Sequence, residues 1–126
     1  MWTYSQSSGV LLDPDGEIAD TCYAGGNCGH NPEGINNPDM QDVHAVGPLP
    51  QGVYSLGEPE NSPHLGPFAI PLIPDPANEM FGRSGFFMHG DSVAKPGCAS
   101  EGCIIMPRSV RQAVIARKDQ MITVTA

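Results

Sequence analysis

The first 82 residues of this chain contain no lysine and no arginine. The six basic residues, Arg83, Lys95, Arg108, Arg111, Arg117 and Lys118, all fall in the last third, and the formal net charge is −8. Nucleic-acid binding needs cations to meet phosphate, so no nucleic-acid partner is expected. Long apolar runs are also missing. None approaches the ~18 residues that cross a bilayer, which excludes a helical membrane span. Met1–Gln6 has neither a basic segment nor an apolar stretch, so no signal peptide is expected. A product made in the cytoplasm would then need another route to any substrate outside it.

What is abundant is turn chemistry. The 15 glycines and 13 prolines are scattered among apolar runs, which argues for a turn-rich, mainly β domain spanning 1–126. Trp2–Ser5 and Val10–Leu12 read as strands around Gln6–Gly9. Asp13-Pro14-Asp15-Gly16 is a turn, and Glu17–Tyr23 completes an antiparallel meander. Residues 24–42, rich in Gly, Asn and Pro, form a long loop of the kind that often carries function. Val53–Leu56 follows as a strand. Phe68–Ile73 reads as an edge strand, because Pro71 removes a ladder donor. Pro107 can open one amphipathic helix of about three turns, with Val110, Ala113, Val114 and Arg117 at helical spacing. Met121–Thr125 is a terminal strand. No internal repeat or second domain is visible.

The chemistry concentrates in two short buried strands. Phe86–His89 ends in a histidine followed by Gly90. Cys103–Met106 begins with a cysteine preceded by Gly102. A cysteine nucleophile needs an imidazole to take its proton, and both glycines let backbone approach a substrate. The short polar segment Asp91–Ala99 could fold back and bring thiol and imidazole together. N–H groups around Gly102 and Cys103 could then form an oxyanion hole. The C-terminal cations would suit a carboxylate-bearing substrate and favour a thiolate; the plainer alternative is a few solvated basic residues near a helix. Likewise, a buried structural cysteine and a core histidine with satisfied nitrogens would explain the same residues without catalysis.

Cys22, Cys28 and Cys98 remain if Cys103 stays free. Cys22 could bridge Cys28, or one of them could pair with Cys98, and such a bond would indicate an oxidising compartment. No matched pair of zinc-knuckle spacings exists, so no metal or other cofactor is expected. His44 and His64 read as surface residues, and Asp13 and Asp15 as turn residues.

The frame His89-Gly90 followed by Ser100-Glu101-Gly102-Cys103-Ile104 resembles the L,D-transpeptidase (YkuD-type) signature. A resemblance over nearly the whole chain is to the Tlde1 group of L,D-transpeptidase-like toxins. It is carried by Trp2–Gly9, Asn36–Gln41, Gly47–Tyr54, Met80–Phe86 and His89–Ser92. That group is associated with type VI secretion in Gram-negative bacteria and with phage-derived loci. The resemblance implies a YkuD-like β-sandwich or barrel with little helix. It implies Cys103 as nucleophile and His89 as general base, with Ser100, Gly102 and Gly90 shaping the catalytic loop. The substrate implied is the peptidoglycan stem peptide, met in the periplasm of a target bacterium. A delivery component and a cognate immunity protein would be partners. One departure is Ile105, where many L,D-transpeptidases carry Arg after Cys-Ile; Arg108 or Arg83 could supply that charge. Tyr23, Asn36, Asn37, Asp91 and Ser92 are further candidates for substrate contact. The competing class is a non-catalytic, cysteine-stabilised module that binds peptidoglycan or serves a phage structure.

Overall fold

The computed structural model describes residues 1–126, with one helix and ten strands. The strands are β1 (Trp2–Ser5), β2 (Val10–Leu12), β3 (Ile18–Thr21), β4 (Tyr23–Ala24), β5 (Gly52–Leu56), β6 (Glu60–Ser62), β7 (Gly66–Pro74), β8 (Phe87–His89), β9 (Ile104–Ile105) and β10 (Met121–Thr125). The helix α1 is Arg108–Ala116. Hydrogen bonding links the strands in the order β3-β2-β1-β10-β5-β7-β8-β9-β4, with β6 on β7. The path bends around one core, so Trp2 and Tyr4 near one end pack in the same cluster as Ile104 and Ala24 at the other. This is the expected mainly β architecture with one short C-terminal helix.

Strand periodicity decides what enters that core. On β1, Trp2 and Tyr4 are buried while Thr3 and Ser5 are half-exposed; on β10, Ile122 and Val124 are buried. The two strands pair in parallel, Trp2 with Ile122 and Tyr4 with Val124, so one face of each meets the core. The N-terminal meander forms as expected, but its third strand breaks. The Cys22 N–H donates to the Gly9 carbonyl (2.7 Å), after which Tyr23 and Ala24 leave for β9.

Pro71 lies inside the sheet, not at its edge. β7 runs between β5 and β8 and also carries β6. The Pro71 carbonyl accepts from the Gly57 N–H at 2.8 Å. Its missing donor faces the same side, where β5 has ended at Leu56 and β6 has not begun. The proline thus sits where the neighbouring ladder is interrupted.

The long loop folds as three single 3₁₀ turns, Asn27–Gly29, Pro32–Gly34 and Pro38–Met40. Helix α1 turns Val114 inward together with Arg111, which is 3% exposed. Arg111 donates to the carbonyls of Phe68 (3.0 Å), Met106 (2.5 Å) and Pro67 (3.3 Å). The guanidinium therefore ties helix, β7 and the end of β9 together behind β8.

Candidate active site

His89 closes β8, and Cys103 immediately precedes β9. These strands pair in parallel, with His89 opposite Ile105. Cys103 is two residues before Ile105, so its side chain leaves the same face as that of His89. Both line one open cleft of about 760 Å³. They form its floor, at 4% and 9% exposure.

The His89 Nδ1 lies 2.9 Å from the Gly90 carbonyl. A carbonyl only accepts, so the proton sits on Nδ1 and Nε2 keeps its lone pair. The group that orients the imidazole is thus the Gly90 backbone carbonyl. Burial holds the imidazole below its ordinary range; the Gly90 bond opposes this, the nearby Arg111 charge adds to it, and Asp91 opposes it. Burial therefore favours the neutral form of His89.

The Cys103 sulfur accepts the Phe87 N–H at 3.3 Å. Burial pushes the thiol up to about 11, and Glu101 adds to that; the Phe87 N–H and Arg83 pull the other way. The expectation of a cation-stabilised thiolate is thus corrected. The cations did not gather at the sulfur. Arg117 pairs with Asp15 (3.1 Å), and Arg108 lies over the Phe68 ring (5.7 Å), outside the cleft. Arg83 does line the cleft, but all four terminal N–H groups point at carbonyls: Gln41 (2.6 Å), Pro48 (2.8 Å), Gly47 (3.0 Å) and Glu101 (3.1 Å). It is a clamp on two loops.

Ser100 organises the turn before the thiol. It is 1% exposed. Its hydroxyl donates to the Cys103 carbonyl (2.6 Å) and accepts from Gly102 N–H (3.0 Å) and Gly25 N–H (2.8 Å). Gly102 has φ 131°, and a β-carbon there would lie 2.6 Å from an Arg83 nitrogen and 2.7 Å from Phe86. Only glycine fits. The Gly102 N–H is committed to Ser100, whereas the Cys103 N–H donates to no carbonyl and lies against its own sulfur.

The remaining candidates divide. Asp91 and Ser92 line the cleft, and Gly90 does too. Asp91 accepts from Tyr23 Oη (2.5 Å), Ser92 N–H (2.8 Å) and Gly97 N–H (2.9 Å). Burial alone would raise its carboxyl, but these bonds outweigh it and hold it below the usual range. Tyr23 Oη also accepts from Ala99 N–H (3.0 Å), so Tyr23 is a strut under the loop 91–99. Asn36 and Asn37 lie outside the cleft lining. Asn36 accepts from Ala24 N–H (3.1 Å), and Asn37 caps the turn Pro38–Met40 through Asp39 N–H (3.1 Å). Among the titratable residues of the cleft, four were not anticipated as site residues: Cys28, His44, His64 and Glu101. His44 and His64 are exposed, as read from sequence, but they stand on the cleft rim.

The structure holds all four cysteines as free thiols. Cys22 lines a second groove of about 470 Å³, which shares Asp91 with the cleft. Cys28 lines the cleft itself, so a Cys22–Cys28 bridge is not formed.

A family model described as the Tlde1 domain matches residues 26–125. No curated protein sequence matches the chain. Among solved structures, an Enterococcus faecium L,D-transpeptidase, crystallised as a cysteine-to-serine mutant, superposes with a TM-score of 0.57 at 16% identity. The match covers 98% of this chain and 48% of that one. The helical cell shape determining protein Pgp2 from Campylobacter jejuni gives 0.55 at 16% identity, covering 98% and 46%. The isolated catalytic domain of the E. faecium L,D-transpeptidase gives 0.51 at 19%, covering 98% and 94%. The chain thus spans about half the length of the first two and has the fold of an L,D-transpeptidase catalytic domain.

Proposed function

The chain belongs to the Tlde1 domain family, and on that footing we propose that it is a cysteine acyl-transfer enzyme acting on peptidoglycan stem peptides. One observation carries the proposal. The Gly90 carbonyl fixes the His89 proton on Nδ1, leaving Nε2 as a free base in the same cleft as the Cys103 sulfur.

In the proposed reaction the thiol and imidazole start neutral. His89 Nε2 takes the thiol proton as sulfur attacks the carbonyl carbon of the L-centre of meso-diaminopimelate, at its bond to D-Ala in a tetrapeptide. The Cys103 N–H donates to the oxyanion, an effect of roughly 2.7–4 kcal/mol where single donors have been removed. The imidazolium then protonates the departing D-Ala amine as the C–N bond breaks, leaving a thioester. Water resolves the thioester in carboxypeptidase action, and a free D-amino acid resolves it in exchange. Both outcomes remove the tetrapeptide donors that crosslinking needs.

A protein doing this in a competitor's periplasm would act as an antibacterial toxin. It would then need a delivery component and, in the producer, an immunity protein that blocks the cleft. Incubating the protein with defined disaccharide-tetrapeptides and weighing the products tests the reaction. Loss of one D-Ala, or its replacement by an added D-amino acid, is the expected result. Unchanged tetrapeptide would refute it.

A further inference from the structure

Cys28 and Cys98 are far apart in sequence yet lie on neighbouring stretches of backbone, with Cys28 lining the cleft. The Cys28 N–H donates to the Ser100 carbonyl at 3.0 Å, so the turn Asn27–Gly29 runs beside residues 98–100. A β-carbon built on Gly29 would lie 2.9 Å from Cys98 Sγ and 3.3 Å from Cys98 Cβ. The Cys98 sulfur thus already rests on backbone adjoining Cys28. Both thiols are free; Cys28 is exposed and Cys98 half-buried. Cys28 also holds φ 53°, a conformation unfavourable for a residue with a β-carbon. Its own sulfur faces Glu101 at 3.7 Å, a weak contact that a rotation about χ1 would release.

We propose that Cys28 and Cys98 are a modification site, closing to a disulfide when the protein meets an oxidising small-molecule or protein disulfide. Bridged cysteines have Cα atoms roughly 5.5–6 Å apart, and the hydrogen bond to Ser100 holds the Cys28 backbone beside the stretch of chain two residues past Cys98. Of the other two cysteines, only Cys103 shares the cleft lining with Cys28. Cys22 opens onto the second groove, and the Cys103 sulfur is held at the cleft floor by Phe87. The exchange balances in two steps. Cys28 thiolate attacks the oxidant's disulfide, forming a mixed disulfide and releasing one oxidant thiol. Cys98, losing its proton, then attacks the Cys28 sulfur and releases the second oxidant thiol. The two protein thiols are oxidised, and the oxidant is reduced by two electrons. The bridge would fasten the loop carrying Asp91 and Ala99 to the turn Asn27–Gly29, fixing one wall of the cleft. It does not depend on the reaction proposed above, since its readout is mass.

The test equilibrates the full chain with oxidised and reduced glutathione, quenches with acid, alkylates under denaturing conditions, and maps the peptides. A predominant Cys28–Cys98 peptide is expected, on a protein lighter by two hydrogens. Cys22 should be recovered alkylated. Cys98→Ser should stop at glutathione attached to Cys28. A predominant bridge to Cys22 or Cys103 would overturn the site, as would wild type halting at the mixed disulfide. As a second measurement, oxidised wild type should melt above both reduced wild type and the C28S/C98S double variant. Equal melting of all three would overturn the fastening role.

Discussion

Ser100 and Cys103 are joined by a hydrogen bond from the serine hydroxyl to the cysteine carbonyl, at 2.6 Å. The same oxygen receives two buried N–H groups, from Gly25 and Gly102. One side chain therefore fixes the turn on which the thiol stands and docks it on the start of the long loop.

Ser100→Ala would leave both of those donors without a partner. A buried unsatisfied group costs about 1–3 kcal/mol, so the variant should lose on the order of 2–5 kcal/mol of stability. Denaturant unfolding measures this. A loss below about 0.5 kcal/mol, typical of a neutral surface change, would show that water replaces the hydroxyl.

Cys103→Ala should abolish D-Ala release from tetrapeptide substrates while circular dichroism and melting stay close to wild type. The removed sulfur accepts from the Phe87 N–H at 3.3 Å and makes a long contact to the Gly85 carbonyl at 4.0 Å, so little structural energy is at stake. Undiminished release by the variant would remove Cys103 from the chemistry.

The pH profile follows from His89. Its folded pKa is depressed, first by burial, so the neutral base survives below the ordinary imidazole value of about 6.5. The acid limb of kcat/KM should therefore fall below that pH, activity being lost only as acid protonates Nε2. An acid limb above pH 7 would mean that the imidazole is charged in the free enzyme.

Cys103 should alkylate slowly at pH 7. With its thiol pushed up to about 11, the iodoacetamide rate should climb about tenfold per pH unit through the alkaline range. A rate that is fast and flat from pH 6 to 8 would instead establish a preformed thiolate–imidazolium pair.

Arg83→Lys should not rescue Arg83→Met. The guanidinium serves four carbonyls on two loops, a planar fork that a single ammonium cannot reproduce. Both variants should lose on the order of 3 kcal/mol, since bonds to charged groups are each worth about 1.5–3 kcal/mol. Wild-type melting of the lysine variant would show that charge alone suffices.

Much of the secondary structure was legible where local rules act alone. Alternation placed β1, β2 and β10, and Pro107 with the apolar spacing of Val110, Ala113 and Val114 placed α1. Two readings failed because they depend on neighbours. Pro71 could enter the sheet only because β5 stops at Leu56, and Glu17–Tyr23 divided because Tyr23 found a partner in Ile105. In the site, the frame around His89 and Cys103 singled out both residues. Arg83 and Arg111 looked like free cations, yet burial turned each into a carbonyl clamp.

The order of residues by itself determined which groups are available: a cysteine after Gly102 and a histidine before Gly90. Only the tertiary structure decided their chemical state. Pairing β8 with β9 put imidazole and thiol on one face, and burial favours the neutral form of both. It also brought Cys28 beside Cys98 while leaving Cys22 elsewhere. The physical reason is that protonation, solvation and cross-loop contact depend on what surrounds a group in space, and surroundings are a property of the folded chain.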